Sequence, residues 1–94
     1  MEAVWVFSGE RIPFPAAVFS SRERAEAWIT RHTLSGTLTR YPIDEPIYEW
    51  AIARGYFKPK REDQSSAAFI QCFSSVSQEH YHYEAGNGAD AEPA

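Results

Sequence analysis

Ala3-Val4-Trp5-Val6-Phe7, closed by Ser8-Gly9, is the stretch on which the fold turns. Its β-branched and aromatic residues make a run that is apolar on both faces, the mark of an interior strand or of a strand whose second face meets a partner. Alternation sends Val4 and Val6 to one face and Trp5 and Phe7 to the other. Gly9, Pro13 and Pro15 make Ser8–Pro15 a loop. Ala16-Ala17-Val18-Phe19 beyond it offers a second strand, antiparallel to the first.

A helix follows. Ser20 and Glu23 have the spacing of a capping box, and Ala25, Trp28, Ile29 and His32 recur at helical intervals, while Arg22, Glu23, Glu26 and Arg31 face outward. His32 sits where the helix ends, a packing or capping position favoured by the dipole. Leu34-Ser35-Gly36 breaks the helix, and Thr37–Tyr41 alternates as a third strand that Pro42 limits. Asp44-Glu45-Pro46 carries the signs of a helix start: an acidic cap, and a proline in the first turn where its missing N–H costs nothing. Ile47, Tyr48, Trp50 and Ala51 give that helix its apolar face, Trp28 and Trp50 are expected to share one core, and Gly55 ends it. Lys58–Gln64 reads as a solvated charged loop. Ser65 or Ser66 caps a short helix through Ala67, Phe69, Ile70 and Phe73, and Gln78–Glu84 is the last strand.

The expected order is therefore β-β-α-β-α-α-β: an α+β two-layer domain with a mostly antiparallel sheet of about four strands and two to three helices on one face. Residues 1–84 form this single domain. Residues 85–94, Ala-Gly-Asn-Gly-Ala-Asp-Ala-Glu-Pro-Ala, have no large apolar side chain and are expected to be a disordered tail.

The formal charge of −4 argues against nucleic acid, and no apolar run is long enough for a membrane span. The single cysteine, Cys72, excludes an intramolecular disulfide and fits a reducing, cytoplasmic setting. In Phe69-Ile70-Gln71-Cys72-Phe73 it reads as a small buried hydrophobe.

The stretches Val4–Glu10, Val18–Glu23, Ala25–Ile29, Leu34–Thr39, Tyr41-Pro42, Asp44-Glu45, Trp50-Ala51, Gly55–Lys60 and Gln78–Glu84 form a pattern of their own. On it the chain resembles a small, widespread bacterial family of unknown function. It departs from that pattern at Ala16-Ala17 and at Pro46. The resemblance implies the fold boundaries and no activity. In size and style such domains resemble immunity proteins or inhibitors, an analogy and no more.

Function turns on Glu79-His80-Tyr81-His82-Tyr83-Glu84. As a strand it sends the tyrosines to one face and His80, His82 and Glu84 to the other. The chain has no phosphate loop, nucleophile elbow or paired metal motif, so the expectation is a non-enzymatic protein without a cofactor. It would bind a protein partner or itself through exposed rings and the histidine strand: Trp5, Phe7, Tyr41, His80, His82 and Glu84. The alternative is a metal or small-ligand site on His80, His82 and Glu84, where two imidazoles at alternate strand positions converge on one ion.

Overall fold

The computed structural model describes residues 2–88. Strands β1 (Ala3–Gly9) and β2 (Pro15–Phe19) precede helix α1 (Arg22–Arg31) and strand β3 (Gly36–Pro42). Helix α2 (Ile47–Ala53), a 3₁₀ turn (Glu62–Ser65) and helix α3 (Ala67–Ile70) lead to strands β4 (His80–Glu84) and β5 (Asn87–Gly88). All strand pairs are antiparallel, in the order β2-β1-β3-β4-β5. The fold is the expected α+β domain with a fifth strand added, and β1 is interior, as its doubly apolar pattern required.

Cross-strand neighbours share a face, so the register sorts the sheet at once. Phe7 stands opposite Ala17 and Leu38, and Leu38 opposite Tyr81. This face packs on α1: Phe7, Ala25, Ile29, Leu38, Tyr81 and Tyr83 are buried, with Trp5, Phe19, Trp28 and Leu34 around them. Trp28 meets Phe7 edge-on at 5.7 Å and Phe19 at 5.5 Å. One hydrogen bond fastens the helix to β4: the Tyr83 hydroxyl donates to Glu26 Oε2 (2.6 Å), and within α1 that oxygen also accepts from Arg22 Nε (3.1 Å). Burial first and this bond second push the Tyr83 phenol well above its ordinary pKa. The Tyr81 phenol is raised too, chiefly by its hydrogen bond to Glu79 and then by burial.

Both ends of α1 follow local rules, with one correction. The N-cap is Ser21, whose hydroxyl accepts from Arg24 N at 3.2 Å, rather than Ser20 in a box with Glu23. Two adjacent serines are available, and Ser21, whose backbone is extended (φ −145°), takes the cap. At the other end His32 is the C-cap, exposed and set edge-on to Trp28 at 6.0 Å. Thr33 follows with φ +50°.

Helix α2 begins without an acidic cap. Asp44 lies in a turn at φ +65°, Pro46 is the N-cap residue by its backbone alone, and Glu45 reaches instead to Arg54 (3.6 Å). Its end is as expected. Gly55, at φ +78°, lets its own N–H reach Ile52 O (3.1 Å) and that of Tyr56 reach Ala51 O (2.8 Å).

Tyr48 from α2 belongs to a second cluster, packed on Phe57 (5.9 Å), Phe69 (6.3 Å) and Phe73 (5.4 Å), with its hydroxyl donating to Gln64 O at 2.7 Å. That bond fixes part of the expected charged loop as the 3₁₀ turn. Trp50 does not share the core of Trp28; it is half-buried against Tyr56 (5.5 Å) and Arg54 (5.0 Å). Cys72 is exposed, not buried, because one-turn α3 directs Phe69 and Phe73 inward and leaves Cys72 outside.

The expected tail is corrected at Ala85–Gly88. Ala85 (φ +50°) and Gly86 (φ +83°) form a two-residue turn, and Asn87 and Gly88 pair with Glu84 and Tyr83. Gly86 is buried; its N–H donates to Leu34 O at 2.8 Å, and a Cβ there would lie 3.0 Å from Thr33 Cα. Backbone bonding and close approach hold this hairpin, which a count of large apolar side chains overlooks. The rest of the expected tail lies outside the described residues.

Candidate functional site

The face opposite α1 carries three cross-strand rows. Val4 stands beside Tyr41; Val18, Val6, Thr39 and His80 form a row across β2, β1, β3 and β4; Ser8, Thr37 and His82 form the next. Glu84 lies beyond, opposite Asn87. The face grades from apolar at Val4, Val6 and Val18 to polar at Ser8, Thr37, His82 and Glu84.

Of the six candidate residues, four are on this face: Tyr41, His80, His82 and Glu84. Phe7 is not, because at 2% exposure it is core beneath α1. Trp5 shares that covered side, half-buried and 6.0 Å from Tyr81. Alternation was right to separate Trp5 and Phe7 from the valines; α1 then took the ring-bearing side, which buries the larger apolar surface.

Local bonding positions the histidines. His80 Nδ1 lies 2.7 Å from Gln78 O, and a carbonyl can only accept, so Nδ1 carries the proton and Nε2 is left free. His82 Nδ1 lies 3.3 Å from the Thr37 hydroxyl. The two imidazoles stand perpendicular with centroids 5.2 Å apart. Glu84 does not join them: among the described residues no three His, Cys, Asp or Glu side chains come together as a metal site.

Two concavities mark the face. A trough of about 250 Å³ runs between Thr39, Tyr41 and His80 on one side and Ser74–Val76 on the other. Gln78, 2% exposed, holds that rim in place: its Nε2 donates to Arg40 O (3.2 Å) and its Oε1 accepts from Ser75 N (3.3 Å). Val76 projects from the rim at 83% exposure. A wider groove of about 730 Å³ opens at the polar end, bounded by Ser8, Arg11, Thr37, His82, Glu84 and Asn87. The structure thus gathers Tyr41 with His80 and His82 with Glu84, with Thr37 lining both. Sequence reasoning missed Gln78 and Val76; a glutamine entering a strand beside serines gives no sign that it will be buried.

The model of a family described as "Domain of unknown function (DUF7710)" matches residues 4–89. The chain belongs to this family. The match spans the described sheet and all its helices, in agreement with the pattern quoted from the sequence. No curated protein and no solved structure matches the chain. No described helix is long and apolar enough to cross a membrane.

Proposed function

We propose that this protein is a non-enzymatic binding module that engages another protein, or a second copy of itself, through the sheet face opposite α1. One observation carries the reading: Val4, Val6, Val18 and Tyr41 share the face opposite α1, with Val18 exposed and the other three half-buried, bordered by the projecting Val76. A stable monomer has no need to keep such side chains there, whereas a contact surface wants an apolar centre with hydrogen-bonding groups at its rim. Thr37, His80 and His82 supply that rim. A bacterial, cytoplasmic protein of inhibitor or immunity style fits this surface, for such proteins act by occupying a partner.

Capture from a native lysate tests the reading when wild type is compared with Tyr41→Ala/His82→Ala and with Ala27→Glu on the exposed side of α1. A specific partner retained by wild type and Ala27→Glu, and lost about tenfold or more with the open-face variant, supports the face. Equal capture by all three proteins refutes it.

The 5.2 Å spacing of His80 and His82 favours a second reading, a divalent ion held by two imidazoles with remaining positions supplied by water or ligand. Zinc titration of tag-free protein, repeated on His80→Ala/His82→Ala, separates the two.

A further inference from the structure

The outer edge of β2 offers a second surface, a backbone edge that adjoins the open face at Val18. Glu10 N–H donates to Ser35 O at 3.0 Å, continuing the β1–β3 ladder one step beyond Gly9. Along β1 the direction of backbone bonding alternates, so Val4, Val6 and Ser8 bond toward β3, and Trp5 and Phe7 toward β2. Their partners Phe19 and Ala17 therefore turn inward, and Val18 between them turns its N–H and C=O outward. No described strand lies there, since β2 is the end of the sheet.

Edges of this type are ordinarily guarded by charge. Here Ile12 to Ser21 carries none. Three apolar side chains of this hairpin are exposed: Ile12 at 57% and Phe14 at 76% in the loop, and Val18 at 62% on β2. The upstream half is blocked by Pro13, by Pro15 and by an irregularity that leaves Ala16 unopposed, for Phe7 pairs with Ala17 and Ser8 with Pro15. Only a short segment centred on Val18 is free to pair. The opposite edge is the two-residue β5.

We propose that two copies join through β2, antiparallel across a two-fold axis at Val18, making one sheet continuous through both chains. A second copy suits this edge better than an arbitrary strand for three reasons. The edge is its own complement, because each Val18 donates to and accepts from the other. The pairing places β-branched side chains opposite one another. The uncharged edge adds no repulsion between two acidic chains. Because the edge pairs with itself about a two-fold axis, pairing closes at two copies instead of growing into a fibre. So few residues form an interface at the low end of size, hence a reversible dimer at micromolar concentration.

Sedimentation velocity from about 1 to about 500 µM is the test. Wild type should pass from monomer to dimer over that range. Val18→Pro removes only the outward N–H and spares the β1–β2 ladder, so it should stay monomeric at the highest concentration with an unchanged circular dichroism spectrum; Val18→Lys should do the same. Paired Val18 residues would have Cα atoms about 5.5 Å apart, within disulfide range. Val18→Cys in a Cys72→Ser background should accordingly cross-link under diamide, and Val76→Cys in that background should not. A wild type monomeric throughout, or a dimer that persists in both Val18→Pro and Val18→Lys, overturns the proposal. Loss of the dimer in Tyr41→Ala with retention in Val18→Pro would move the contact to the open face.

Discussion

Replacing Gly36 with alanine probes how closely the sheet is fitted at the polar end of the open face. Gly36 pairs with Gly9 on one side and Tyr83 on the other. A Cβ there would stand 2.2 Å from Ser8 O, 2.8 Å from Phe7 Cζ and 2.9 Å from Gly9 Cα. An ordinary carbon–oxygen approach is about 3.3 Å or more, so relief requires about 1 Å of movement. The first obstacle is a strand carbonyl, not the end of a flexible chain, and the second is a core ring beneath α1. Strands β1 and β3 must part, or Phe7 must leave its place against Trp28. Overpacking of a fitted core costs about 1–3 kcal/mol, and a backbone obstacle puts Gly36→Ala at the upper end, about 3 kcal/mol. That is a large share of the roughly 5–15 kcal/mol by which domains are stable. Urea unfolding followed by tryptophan fluorescence measures it, with Gly55→Ala as the control. A Cβ at Gly55 meets nothing within 4 Å, but φ is +78°, so about 1 kcal/mol is expected there. A Gly36→Ala protein within about 1 kcal/mol of wild type, or less affected than Gly55→Ala, would refute the fitted-sheet reasoning.

Other expectations follow from the same packing. Trp28→Ala should cost about 3 kcal/mol, because Trp28 bridges Phe7 and Phe19 at the main core, whereas Trp50→Ala, which loses only contacts with Tyr56 and Arg54, should cost about half as much; chemical denaturation ranks the two. Thr33→Gly should raise the denaturation midpoint by about 1 kcal/mol equivalent, since a β-branched residue holds φ +50° where glycine is unstrained. Tyr83 is raised in the folded state, so the native protein keeps a proton that the unfolded chain releases near pH 10. Its contribution is therefore full below about pH 10 and falls as pH rises above it, and Tyr83→Phe should flatten that alkaline loss in a pH series of melts.

Much of this molecule was legible in the sequence because local chemistry decided it. The doubly apolar β1, the alternation of β4 and the glycine that closes α2 each follow from one residue's backbone or from strict periodicity. The misplaced features have a common physical origin. Ser20 and Ser21 are equivalent in composition, and only the turn leaving β2 selects Ser21. Trp50 lies on an apolar helix face, yet the face packs on Phe57, Phe69 and Phe73 through Tyr48, and this second cluster draws α2 away from the core of Trp28. The β5 hairpin depends on two positive-φ residues, one of them a glycine pressed against the end of α1, with no hydrophobic signal to announce it. For the open face, alternation sorted the residues of each strand onto the sides where the register places them. Which side α1 would cover was a tertiary choice, and it moved Phe7 and Trp5 from the contact set to the core side.

Site-specific photocrosslinking in living cells tests most directly whether the open face is where this protein works. Benzoylphenylalanine in place of Thr39 lies at the middle of that face, and in place of Ala27 it lies on the exposed side of α1. The account predicts a discrete covalent adduct from position 39 and none from position 27. An adduct from position 27 alone, or none from either, would contradict it.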